Sequence, residues 1–311
     1  MRKLELLILA SRRATENQEF TDTAGIQNEE FIQYFNDGQE EIHSKLNSLF
    51  PHILMAQKVV QLVQGQEGYT IPSDVYLGTR IDMIEFSPTG LAQDYYSIKK
   101  GSLKERLNGS ETNPSFYIRN GNQILLQPAP QSGSGTIRIS YQKAIPRLDI
   151  KRATVETVTL GAGNTITTLI LDDALLFDRD ALLEEGYISI TDKDGVVKME
   201  SIPIDDISTT GVVTISAGFT YQTGETIAAG DTVLRGKKST QVSQLPDVCE
   251  KYLLEYCNAR ILVRDSSSDS AAVGQVLIRV EGTLQTAFAE PDNDPDYVPV
   301  LDAQYLGWDS F

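Results

Sequence analysis

The sequence has 311 residues, 41% of them hydrophobic, which is long for one compact domain, comfortable for two, and apolar enough to exclude wholesale disorder. A formal net charge of −16 makes the chain soluble and excludes a protein that holds nucleic acid on a broadly cationic surface, while leaving open one that DNA passes without sticking.

In chain order, residues 1–14 open with a short apolar run that resembles a signal peptide. Glu5 interrupts that run and Arg12-Arg13 follow it, so the segment reads as an amphipathic helix with Leu4, Leu7 and Ile8 on one face. No stretch reaches the roughly 18 apolar residues of a membrane span, which places the protein in the cytoplasm or in something assembled there. After a polar stretch over 15–25, Asn28 reads as the N-cap of a stronger helix, with Glu29 and Glu30 at its positive end. Phe31, Ile32, Phe35, Ile42, Leu46 and Leu49 recur there at helical spacing until Pro51 breaks the pattern.

The period then changes. Val59–Val63 and Tyr69–Ile71 read as strands joined by a hairpin-type turn over Gln64-Gly65-Gln66-Glu67-Gly68. Ile81–Phe86 alternates as a strand, and Tyr95–Leu107 reads as a short helix. Phe116–Ile118, Gln123–Leu126 and Thr136–Tyr141 are strands, the first two joined by an Asn120-Gly121 turn. From 151 to 236 helical periodicity nearly vanishes. Val155–Leu160, Thr165–Leu171, Tyr187–Thr191, Val196–Ile202, Val212–Ser216 and Thr232–Leu234 read as short strands between glycine-bearing turns, the pattern of a small barrel or sandwich, with a helical turn or two within 174–185. Two amphipathic helices follow, Asp247–Arg264 and Ala271–Ala289, expected to pair antiparallel and to share one core with the N-terminal helices.

Little in the chain points to chemistry. Cys249 and Cys257 lie about two turns apart on one predicted helix, too far to bond each other, and read as buried thiols. His43, among Glu40, Glu41 and Lys45, reads as a solvated surface residue, and His52 as a helix-end residue. Asp192-Lys193-Asp194-Gly195 hints at a calcium loop, but that loop's first and twelfth positions fall on Ile190 and Ser201, so a hairpin turn is the better reading. Asp172-Asp173 and Asp205-Asp206 sit at strand ends as turn acids. Arg235, Lys237 and Lys238 form a basic spot read as the edge of the β region, with a DNA-facing role as the lesser reading. No catalytic residue, metal ligand or cofactor site is expected.

The last feature is the densest. Tyr297, Val298, Val300, Leu301, Tyr305, Leu306, Trp308 and Phe311 follow the spacer Pro291-Asp292-Asn293-Asp294-Pro295-Asp296, and include the only tryptophan. Terminal segments are ordinarily polar, so this one reads as built to dock, on its own domain or on a neighbour, with Tyr297, Leu301, Tyr305, Leu306, Trp308 and Phe311 as candidate docking residues.

The order of motifs resembles the head-to-tail adaptor (connector) proteins of tailed phages, of podovirus type. The likeness is carried by Asn28-Glu29-Glu30-Phe31-Ile32-Gln33-Tyr34-Phe35-Asn36-Asp37-Gly38-Gln39-Glu40-Glu41-Ile42, by Tyr69-Thr70-Ile71-Pro72-Ser73-Asp74, by Pro114-Ser115-Phe116-Tyr117, and by Leu126-Gln127-Pro128-Ala129-Pro130. Tyr141, Pro146-Arg147-Leu148 and Leu245-Pro246-Asp247 complete it. It covers residues 28–150 and 240–290. Residues 151–236 depart from the family's pattern and are similar instead to small β-barrels inserted in other phage tail and connector proteins, through Leu183–Ile190 and Thr226–Val233.

The expected fold is α+β: a helical bundle with antiparallel β elements and an inserted small all-β domain. The expected division is an adaptor core over 1–150, an inserted β domain over 151–237, a helix pair completing the core over 238–290, and an extended docking tail over 291–311. The resemblance implies a virion structural protein at the head–tail junction, assembled in the host cytoplasm. It implies a ring of about twelve copies that binds the portal protein and a tail or nozzle protein, with genomic DNA passing through its channel without sequence-specific binding and with no membrane partner. A minor tail or receptor-binding protein that uses the β insertion for recognition is the alternative, separated by copy number. A glycan hydrolase with Asp172, Asp173 or Glu184 as acids is the third reading, which turnover on peptidoglycan or capsule would support.

Overall fold

A computed structural model of the chain describes residues 2–14, 26–102, 113–133, 135–160, 165–172, 179–216, 219, 226–265 and 270–288. The first helix, α1 (Leu4–Ala14), buries Leu4, Leu7 and Ile8 as its spacing predicts. The second, α2 (Asn28–Leu49), buries Phe31, Ile32, Phe35, Ile42 and Leu46. Its N-cap is Gln27, with no side-chain cap, and not Asn28. Asn28 is already helical, and its Oδ1 accepts instead from Arg12 Nη2 at 2.9 Å, tying α1 to α2. Pro51 ends α2 as expected and opens a 3-10 turn, Pro51–Leu54.

Two four-stranded sheets follow. The first has the order β1 (Met55–Gln61), β8 (Thr136–Gln142), β3 (Ile81–Ser87), β4 (Tyr96–Ser97). The second has the order β2 (Gly68–Thr70), β7 (Gln123–Gln127), β6 (Phe116–Asn120), β5 (Lys99–Lys100). Ile84, Phe86, Ile124, Leu126, Ile137 and Ile139 build a common core. The turn after Asn120 is the expected hairpin, with Gly121 at φ 58. Two expectations fail here. β1 and β2 are not hairpin partners, since β1 pairs with β8 and β2 with β7. The predicted helix over Tyr95–Leu107 is instead two short strands where it is described, β4 against β3 and β5 against β6, and residues 103–107 lie outside the described residues.

The β region is a closed six-stranded barrel, a sheet with no edge of its own. Its order is β10 (Ala153–Leu160), β11 (Ile166–Leu171), β14 (Val212–Ile215), β13 (Val197–Ile207), β12 (Tyr187–Thr191), β15 (Thr232–Arg235), back to β10. Val155, Leu169, Ile188, Ile190, Ile202, Val213 and Val233 fill it, with Leu182 of the short helix α3 (Arg179–Glu185). A bulge on β13 places Ser201 in the left-handed region at φ 58.

The chain then returns to the helices through β16 (Ser239–Thr240) and ends its described part in α4 (Glu250–Asp265) and α5 (Ser270–Phe288). These run antiparallel: Tyr252 bonds Thr283, and Glu255 meets Arg279 at 3.2 Å. Leu253, Cys257, Val280 and Leu284 join the core of Leu7, Phe31 and Phe35, so helices from both ends of the chain share one interior. Gly38 makes that closeness possible, because a Cβ there would meet Tyr256 Cδ1 at 2.7 Å.

Candidate functional site

The polar residues of α2 face the two chain segments that bracket the barrel. The incoming strand β9 (Arg147–Leu148) and the outgoing β16 lie side by side as a parallel ribbon, with Arg147 N donating to Lys238 O and Asp149 N to Thr240 O, both at 3.0 Å. Asn36 satisfies the other side of β9: its Nδ2 donates to Leu148 O at 2.9 Å and its Oδ1 accepts from Leu148 N at 2.7 Å. Gln39 reaches both segments, donating to Pro146 O at 2.9 Å and accepting from Ser243 Oγ at 2.6 Å. The sequence pattern around Asn28–Ile42, the Pro146-Arg147-Leu148 stretch and the approach to Leu245-Pro246 thus converge on one joint.

A charge cluster locks the same joint. Arg152, whose side chain is 3% exposed, forks onto Asp149 with contacts of 2.6 and 3.1 Å and meets Glu29 of α2 at 2.6 Å. Arg235, at the end of β15, meets Glu29 at 2.7 Å, and its backbone N–H donates to Asp149 Oδ2 at 2.8 Å. Burial alone would lower the pKa of Arg152, but the hydrogen bonds and charges of Asp149 and Glu29 outweigh it and raise that pKa, so the guanidinium stays charged. Partial burial pushes the Glu29 carboxyl up, yet Arg152 and Arg235 together hold it below its ordinary value. Helix, linker and barrel therefore meet in one ionic and hydrogen-bonded node.

His43 lies beside this joint and is buried, not solvated. It shares a polar stripe with Gln39 and Asn47, one helical turn apart on α2, and this stripe packs against chain where a surface helix would meet water. Its Nε2 lies 3.1 Å from Lys143 O, and its ring meets Tyr76 edge-on at 4.5 Å. The Lys143 carbonyl only accepts, so Nε2 carries the proton. The Asn47 amide lies 3.0 Å from the same nitrogen, one turn further along α2. Burial lowers the His43 pKa, opposed in part by the Lys143 hydrogen bond. A lowered folded-state pKa means the unfolded chain takes up a proton that the native one refuses. Stability is then complete above about pH 6.5 and falls as pH drops, by at most about 1.4 kcal/mol per unit for this residue. Urea unfolding from pH 7 to 5.5 should show a steeper loss for the natural chain than for His43→Gln; equal slopes would refute the assignment.

The other sequence candidates are dispersed. Asp192 Oδ1 accepts from the N–H groups of Asp194 and Val196, both at 2.8 Å, and Gly195 takes φ 89, the geometry of a turn. Asp172 accepts from Thr154 N at the mouth of the barrel, and Asp173 lies outside the described residues. Glu184, Asp205 and Asp206 are exposed. Lys237 lies 4.2 Å over the Tyr187 ring, and Lys238 donates to Ser73 Oγ. Asp74 accepts from Tyr141 Oη at 2.9 Å, joining two of the quoted motifs. Cys249 and Cys257 are buried free thiols, each pushed up to about 12 by burial. Tyr297, Leu301, Tyr305, Leu306, Trp308 and Phe311 lie outside the described residues. Among the described residues no group of three or more His, Cys, Asp or Glu is arranged to hold a metal ion, and no helix is long and apolar enough to cross a membrane.

A search of curated proteins finds no match for the chain. A family model described as SU10 adaptor protein matches residues 1–202, which take in the N-terminal helices, both sheets, the incoming side of the joint and the first half of the barrel. The chain belongs to the SU10 adaptor protein family and is a phage adaptor, a structural component of the virion.

Proposed function

We propose that this chain is a ring-forming adaptor of podovirus type that binds the portal protein on one side and a tail or nozzle protein on the other. About twelve copies enclose part of the DNA channel. The observation that carries this reading is the node of Glu29, Asp149, Arg152 and Arg235, which fixes a closed barrel to a helical core. A rigid two-ended molecule suits a part that transmits position from one assembly to the next. Residues 1–150 and 238–290 act as the core, residues 151–237 as the inserted module, and residues 291–311 as the docking tail through Tyr297, Leu301, Tyr305, Leu306, Trp308 and Phe311. The net charge of −16 lets DNA pass without binding, and assembly takes place in the host cytoplasm.

Native mass spectrometry of the chain, alone and with the portal protein of the same genome, tests this. The chain alone is expected as a monomer, and the mixture as a portal-bound complex carrying about twelve copies, weakened by removal of residues 291–311. A stable trimer alone, or no binding to the portal, overturns the reading in favour of a tail or receptor-binding role.

A further inference from the structure

A small cavity opens beside the ionic node, between α2, β9, the end of α3 and the turn that joins β15 to β16. Its volume is about 160 Å³, below the roughly 300–1,000 Å³ of a pocket for a whole small molecule, so it suits one compact group. Four cationic side chains line it, Arg147, Arg235, Lys237 and Lys238, against two carboxylates, Asp149 and Glu185. Asp149 is already committed: both its oxygens accept from Arg152, and Oδ2 also accepts from Arg235 N. In a chain of net charge −16 this is a local reversal of sign.

The backbone adds to that reversal. Every carbonyl of the turn Arg235-Gly236-Lys237-Lys238 is taken by a donor. Arg235 O accepts from Ser239 Oγ, and Gly236 O from Ser189 Oγ at 2.8 Å. Lys237 O accepts from Ser201 N and Oγ at 2.8 and 2.9 Å, and Lys238 O from Arg147 N at 3.0 Å. These bonds quench the negative ends of the turn's peptides and fix its path, so the cations stand on a rigid frame. Gly236 takes φ 101, a conformation that favours glycine, and a Cβ there would crowd Glu185 Oε1 at 3.5 Å on the cavity rim. Ile32 and Leu148 supply a buried apolar wall, which strengthens the field of the charges beside it. The cations keep donors to spend. Arg235 gives Nη2 to Glu29 out of a guanidinium's five donors, and Lys238 gives Ser73 Oγ one of an ammonium's three.

We propose that this cavity is an oxyanion site, holding a single phosphate or carboxylate group between the two arginines and the lysine pair. Guanidinium forks match such groups with paired hydrogen bonds, and lysines add charge without a fixed direction. An occupant touches helix, ribbon and barrel at once, so its binding tightens the joint. A DNA strand fits poorly: it carries a charge about every 3.4 Å, and on leaving the cavity it meets the exposed carboxylates Glu29, Glu184 and Glu185. The site stands whether or not the chain binds a portal.

Amide NMR shifts of the full chain test this, with inorganic phosphate titrated against chloride at matched ionic strength. Phosphate is expected to move the Gly236, Lys237, Lys238 and Ser239 amides along a saturating curve, and chloride to leave them in place. The double variant Arg147→Gln, Lys237→Gln removes two exposed cations that take no part in the node, and should weaken phosphate about tenfold or more. Unchanged amides away from the cavity show that this variant is folded. A blocked glutamyl dipeptide separates the two sources of the group: tighter binding than phosphate assigns a carboxylate from a protein partner, and weaker binding assigns free phosphate. Shifts that stay linear in concentration for both probes overturn the site, as does an affinity unchanged in the double variant. Shifts spread equally over the exposed Lys58, Lys99 and Lys100 also overturn it. A DNA duplex that binds more tightly than either probe, with shifts centred outside the cavity, assigns these cations to a diffuse nucleic-acid surface and overturns it too.

Discussion

Replacing Arg152 by alanine is expected to lower the unfolding free energy by about 3–5 kcal/mol, the range for removing one partner of a buried ion pair. The loss comes less from the attraction removed than from what remains. Asp149 is buried, and without the guanidinium it would hold its charge against only the backbone N–H of Arg235 and the nearby chain. Lysine should not rescue the change, because the fork that meets Asp149 and Glu29 at once is planar and multidentate. Glu29 offers the control: it is exposed, so Glu29→Gln should cost roughly 1 kcal/mol or less although it removes two ion pairs. Urea unfolding of the three variants orders them. Arg152→Ala within about 1 kcal/mol of the natural chain would show that the node is not what fixes the barrel to the core.

Much of this architecture is legible in the sequence, because short-range signals dominate it. The six barrel strands stand out since β-branched runs are punctuated by Gly163, Gly195, Gly211 and Gly230, and the helices α1, α2, α4 and α5 follow a 3.6-residue period. Pairing partners are another matter. β1 meets β8 across some eighty residues, and no local pattern distinguishes that partner from the nearer β2. Tyr96–Lys100 carries no alternation long enough to mark a strand, and its pairing with β3 and β6 overrides a modest helical appearance.

The joint was half visible. The order of motifs marks Asn36, Gln39, Pro146 and Leu148, but not that they touch. His43 is instructive: beside Glu40, Glu41 and Lys45 it looks solvated, yet it belongs to the uncharged stripe Gln39, His43, Asn47. Three uncharged hydrogen-bonding residues at four-residue spacing, amid charged neighbours, are the signature of a helix face that binds backbone. The ionic node gave no such sign, since Glu29, Asp149, Arg152 and Arg235 are ordinary charges until the fold gathers them.

Asn36→Ala is expected to cost roughly 2–4 kcal/mol, because it strands the N–H and the C=O of one buried residue, each worth about 1–3 kcal/mol when left unpaired. Leu148 is buried, and the ribbon's own bonds run through Arg147 and Asp149, so among the described residues Asn36 is the partner of both groups. Asn36→Asp distinguishes a lost hydrogen bond from lost packing. It keeps size and the acceptor for Leu148 N, but sets a carboxylate oxygen against Leu148 O, and it should destabilise at least as much as alanine at neutral pH. Exchange at the Leu148 amide should quicken in the alanine variant, since the native acceptor for that proton is Asn36 Oδ1. A loss below about 0.5 kcal/mol with unchanged exchange would mean that water enters and replaces the carboxamide. The joint would then be held by its charges alone, and the polar stripe of α2 would matter for the path of the ribbon and not for its strength.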